Sequence, residues 1–118
     1  MTDAAGTNGP FFFEDFVEGE ILRHHRGKTM TEMDQVLITN LVMNTAAGHF
    51  DEALMKTNEL FCQRVAFGGV TIALVIVLAS QHTAQHAPRE LSPVNIRLKA
   101  VLFHGRHTYT YSQLSALS

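Results

Sequence analysis

Apolar residues recur along this chain with spacings that change from segment to segment, and each spacing predicts an element. A small, polar stretch from Met1 to Pro10 reads as a flexible leader, and Phe11, Phe12, Phe13 and Phe16 then supply four rings that need cover. Beyond a turn at Glu18-Gly19-Glu20, Ile21 to Thr29 reads as a first strand. Its Arg23, His24, His25 and Arg26 mark an edge or a solvated face. Thr31 with Asp34 three residues on is a carboxylate variant of the capping box. From there Met33, Val36, Leu37 and Leu41 recur at threes and fours, the spacing of an amphipathic helix, which ends near Met43-Asn44. Asp51 is placed to cap a short second helix, Glu52 to Lys56.

The run from Val70 to Ala79 is apolar throughout, so periodicity alone does not separate a buried helix from a buried strand. Its β-branched residues favour a strand. Its length, its continuation through Ser80-Gln81-His82 and the Gly68-Gly69 pair before it favour a helix, and helix is the expectation adopted. After Pro88 and Pro93, Val94, Ile96, Leu98 and Ala100 alternate with Asn95, Arg97 and Lys99, the clearest strand pattern in the sequence. Phe103 to Arg106 forms a turn, and His107 to Ser112 a further strand. A helix apolar on every side needs wrapping, and so few strands offer little sheet to wrap it. Oligomerisation or missing sequence is the expected remedy.

Composition narrows the function classes. At 118 residues one domain is expected, and 46% hydrophobic with 17% charged residues is too apolar for disorder. The net charge is -2 and no basic run exceeds a dipeptide, so a phosphate-neutralising surface for nucleic acid is not expected. The longest apolar run falls short of the roughly 20 residues that span a bilayer. No secretory signal layout precedes it, and the single Cys62 forms no intrachain disulfide, so a cytoplasmic location is expected. Cys62, in an apolar stretch, reads as a small core residue rather than a nucleophile. His82 and His86 share the spacing of metal ligands on a helix face, but neither a third ligand nor a metalloprotease-like Glu accompanies them, so no metal is expected.

Three segments in order resemble the MaoC-like dehydratase/hydratase family. Met43-Asn44-Thr45-Ala46-Ala47-Gly48-His49-Phe50-Asp51 is similar to the motif D-x-N-P-x-H-x-D, and closer to the M-N-T-x-P-L-H-x-D form of mesaconyl-CoA and methylmalyl-CoA dehydratase-like members. Gln63 to Gly69 is similar to the R-V-A-H-G-G stretch before the central helix, and Asn95 to Gly105 to the strand entering an F-x-G-D turn. The resemblance spans about residues 11 to 112. It departs from the family at Asn44 (usually aspartate), Ala47, Gly48, Phe67 (often histidine) and Arg106 (aspartate).

The resemblance implies an α+β hotdog fold over residues 11–118, an antiparallel sheet wrapped round a long central helix and shortened at its C-terminal side. It implies a homodimer acting on acyl-CoA, with the CoA thioester as substrate and no separate cofactor. Hydrating an α,β-unsaturated thioester needs a base for water, an acid for the α-carbon and donors for the enolate oxygen. An imidazole titrates near neutrality, which suits His49 to the proton transfers; the plainer reading is a surface or core-satisfied imidazole. Asn44 cannot take a proton and is expected to orient water or substrate, or else simply to end a helix. Gly68 and Gly69 open the central helix where free N–H groups favour an oxyanion, against the commoner explanation of backbone clearance. Asp51 fits a helix cap better than a catalyst. A non-catalytic acyl-CoA- or subunit-binding module and an acyl-CoA thioesterase are the competing functions.

Overall fold

The computed structural model describes residues 2–3, 11–89 and 95–115. Its elements are β1 (Thr2–Asp3), β2 (Ile21–Thr29), α1 (Glu32–Leu41), α2 (Glu52–Lys56), α3 (Gly68–Thr83) and β3 (His107–Gln113), with single 3-10 turns at Phe13–Asp15 and Ala47–His49. Two compact units divide the described residues. One draws on the spans Met1–Lys28, Leu74–Asn95 and Tyr109–Ser118, the other on Thr29–Ala73 and Ile96–Thr108.

The sheet has the order β1-β2-β3. β1, inside the segment expected to be a leader, pairs in parallel with β2 through Thr2–Leu22 and Asp3–Arg23. β3 runs antiparallel to β2, since Leu114 bonds Glu20 at one end while Gly105 and Arg106 bond Met30 at the other. The sheet is therefore mixed rather than wholly antiparallel, and β2 is its middle strand rather than an edge. The polar residues of β2 follow the period-two pleat: Leu22 and His24 are buried while Arg23 and His25 are exposed.

The predicted cap of α1 is present in full. Thr31 Oγ1 accepts from Asp34 N–H at 3.1 Å, and the Asp34 carboxylate accepts from Thr31 N–H at 3.0 Å. Its buried face differs from the expectation. Met33, Leu37 and Leu41 are exposed, while Gln35 and Thr39 are buried. Burial of those two polar residues is tolerable because each donates: Gln35 Nε2 to the His49 carbonyl at 3.0 Å, Thr39 Oγ1 to the Gln35 carbonyl at 2.7 Å. Asp51 caps α2 through Leu54 N–H at 2.9 Å. Arg64, buried, ties these two helices by pairing with Glu32 at the start of α1 and with Glu52 at the start of α2.

The ambiguous apolar run is helical, and α3 continues to Thr83. Val70, Leu78, Ala79 and His82 are buried, whereas Val75, Ile76 and Val77 are exposed, so the helix is only partly covered and not wrapped. The clearest strand pattern of the sequence is not a strand. Residues 95–100 are exposed and irregular, Asn95 has φ +55°, and Val94 lies outside the described residues. Alternation prepares a chain to be extended, but a strand exists only where a neighbour accepts its ladder bonds, and among the described residues none does. The turn at 103–106 forms with Gly105 at φ +82°, a value that suits glycine. Of the four early rings, Phe11 and Phe16 stack with centroids 5.7 Å apart, while Phe12 and Phe13 stay exposed. The core of the second unit includes Met30, Met55, Ala66 and Val70.

Candidate functional site

His49 ends the 3-10 turn Ala47–His49, with its N–H bonded to the Ala46 carbonyl at 3.1 Å. It is half-buried. Its Nδ1 lies 2.7 Å from the Val65 carbonyl oxygen. A carbonyl only accepts, so the bond requires Nδ1–H, and in the neutral ring Nε2 then carries the lone pair. The Phe67 ring meets the imidazole edge-on, with centroids 6.1 Å apart. The imidazole is thus held by a backbone acceptor on one side and an aromatic wall on another, and Gln35 holds its own carbonyl.

The two glycines have separate reasons to lack a Cβ. At Gly69 a Cβ would run into the Phe67 ring, so this glycine gives that ring the place from which it meets His49. At Gly68 it would run into the Leu98 side chain, a flexible end. Clearance is therefore real at both. It coexists with the general property of a helix start, where the first N–H groups have no partner within the helix and the dipole favours negative charge.

A cleft of about 660 Å³ in this second unit is lined by His49, Phe61, Val65, Gly68, Thr71, Leu98, Lys99 and Phe103, among others. It brings His49 and Gly68 to one space; neither Asn44 nor Gly69 lines it. Asn44 instead folds its Oδ1 onto Ala46 N–H at 3.0 Å, while its own N–H bonds the Thr39 carbonyl. That arrangement shapes the loop carrying His49. Asp51 serves as the α2 cap. Sequence reasoning missed the Val65 carbonyl and the Gln35 amide: a backbone acceptor has no residue signature, and Gln35 stood on a helix read by its apolar positions alone.

The first unit holds a polar cluster that the sequence did not single out. His24 and His82, each 1% exposed, face each other with Nδ1 to Nδ1 at 3.2 Å, and His24 Nε2 lies 2.7 Å from Ser112 Oγ. Burial pushes the His24 imidazole below its ordinary range, and His82, Arg26 and His25 push the same way. Burial likewise lowers His82, helped by His25 and Arg26. His82 and His86, spaced like metal ligands, part company: His82 meets His24 and His25, whereas His86 stacks on Phe12 at 4.1 Å. The signal available for His24 was the alternation of β2, which puts it on the same side as Leu22.

No protein family and no curated protein matches the chain. Among solved structures, it is similar to a protein from Chloroflexus aurantiacus J-10-fl described as a MaoC domain protein dehydratase. The TM-score is 0.76 at 30% identity, over 95% of this chain and 31% of that protein. This chain thus spans about a third of the length of the protein it matches. No helix among the described residues is long and apolar enough to cross a membrane. The likeness supports a hotdog-like α+β fold and a MaoC-like relationship, without pointing to a particular member of that family.

Proposed function

We propose that the chain carries out hydratase/dehydratase chemistry, adding water across an α,β-unsaturated acyl-CoA thioester or removing it. The observation that carries this reading is the shared cleft, in which an imidazole of defined tautomer and the first residue of α3 line one space. In the hydration direction His49 Nε2 takes a proton from water as the oxygen bonds to the β-carbon. The electron pair of the double bond moves toward the thioester oxygen, where the N–H of Gly68, the residue of the helix start that lines the cleft, holds the enolate. The proton on Nε2 then passes to the α-carbon, which restores the neutral ring. Throughout, the Val65 carbonyl keeps Nδ1 protonated, so Nε2 is the nitrogen that cycles. The cleft also contains Lys99, a cation suited to the phosphates of CoA.

Loss of enoyl absorbance from a short enoyl-CoA tests the reading, with His49→Ala measured alongside. Hydration that disappears in the variant supports it; hydration that persists unchanged removes His49 from the mechanism. A second reading, a module that binds acyl-CoA without turnover, is favoured by Asn44, which stands at the place of the family's acid and spends its side-chain oxygen on Ala46 N–H. Calorimetry that finds binding of a CoA ester without turnover selects it. A homodimer is the proposed assembly, since Val75, Ile76 and Val77 are exposed on α3. A stable monomer by light scattering removes that part.

A further inference from the structure

We propose that Ser112, His24 and His82 form a second reactive site, in which Ser112 is a nucleophile toward esters or thioesters with an apolar acyl group. A nucleophile of this kind needs a base in hydrogen-bond reach and a third group that orients the base. Ser112 Oγ lies 2.7 Å from His24 Nε2, and the far nitrogen of the same ring lies 3.2 Å from His82 Nδ1. Both imidazoles are almost wholly buried, so the relay has fixed geometry and little competing water.

The tautomers follow from the role. For His24 Nε2 to accept the serine proton, Nδ1–H must donate to His82 Nδ1, which places the proton of His82 on its Nε2. That atom is buried and without a hydrogen-bond partner. Burial keeps both rings neutral at neutral pH, the state a base and its orienting acceptor require. When His24 takes the proton, both of its N–H groups have acceptors, Ser112 on one side and His82 on the other.

Ser112 opens on a cavity of about 550 Å³ in the first unit, walled by Phe11, Phe13, Phe16, Leu22 and Leu114. Such walls select an apolar chain. His86 and Gln113 line the same cavity and carry side-chain N–H groups that can face an oxyanion, whereas the Thr83 hydroxyl is spent on the Ala79 carbonyl at 2.9 Å. In the reaction Ser112 Oγ bonds to the acyl carbon as its proton moves to His24 Nε2. The tetrahedral species expels the alkoxide or thiolate, which takes that proton, and an acyl-serine remains. Water repeats the sequence, releasing the carboxylic acid and restoring Ser112. His24 is the base and His82 a positioning residue.

The test is covalent labelling of the full chain with an alkyl fluorophosphonate at pH 7.5, the label located by peptide mass mapping, with cleavage of p-nitrophenyl butyrate followed in parallel. Ser112 is expected to carry the label, and His24→Gln to slow labelling by roughly 10²-fold or more. His82→Gln is expected to displace the pH profile of labelling, which a purely structural role would leave in place. No label on Ser112, or a labelling rate indifferent to His24→Gln in a variant whose thermal transition is retained, overturns the proposal. Wild-type mapping stays decisive even where a variant fails to fold.

Discussion

His49 and His24 are both imidazoles tied down through Nδ1, but by different partners, and the difference decides what each can do. His49 bonds a backbone carbonyl, a partner without a proton of its own, so its tautomer follows from the bond alone. His24 bonds a second imidazole, whose proton can sit on either ring, so the tautomer there is set by what the far ends of the pair touch. The first arrangement is locked and half-exposed beside a cleft. The second is buried, and charging it means bringing a cation into an apolar interior. One histidine is prepared by the backbone, the other by its surroundings.

That comparison is broken most severely by removing what holds the His49 loop in place. Arg64 is a buried cation balanced by Glu32 and Glu52, and the double variant Glu32→Ala/Glu52→Ala strands it. A loss of about 3–5 kcal/mol is expected in urea denaturation, whereas Glu52→Gln alone should cost much less because Glu32 remains. Gly69→Ala comes next. Its methyl group must displace the Phe67 ring that meets His49, and hydration is expected to fall roughly 10- to 100-fold with little change in melting temperature.

The buried pair is probed by acid. Both His24 and His82 are lowered in the fold, so below about pH 6.5 the unfolded chain binds protons that the folded chain refuses. Their contribution is complete above that pH and is lost as the pH falls from there toward the lowered folded values. The slope is at most about 1.4 kcal/mol per pH unit for each ring. Denaturation midpoints between pH 7.5 and 5 should show this loss, and His24→Gln should flatten it. The smallest effect concerns Thr31→Ala, which removes the α1 cap at about 1 kcal/mol and should leave the acid profile unchanged.

Local signals in the sequence were read well because the energies behind them are local. Thr31 and Asp34 cap α1, Asp51 caps α2, and β2 spans Ile21–Thr29 as its composition suggests. The misreadings mostly involve partners that a local pattern does not register. Residues 95–100 alternate like a strand but lack a neighbour to pair with among the described residues. Gln35 and Thr39 took the buried face of α1 with their donors bonded to the His49 and Gln35 carbonyls, a condition that counting apolar positions cannot register, and Gln35 Oε1 is buried there without a partner. Of the candidate site, His49 and Gly68 could be named from their motif and from the helix start, and they do line one cleft. The Val65 carbonyl could not be, and His24 and His82 are 58 residues apart with no motif joining them.

The methionines of the second unit are divided in a way that gives the protein its own oxidation gauge. Met33 and Met43 are 77% and 85% exposed, whereas Met30 and Met55 are 3% and 5% exposed. Dilute hydrogen peroxide should therefore convert the first two to sulfoxides in the native state, and reach Met30 and Met55 only during opening of the surrounding core. The ratio of those two rates, read by mass spectrometry, reports how often that interior is laid bare.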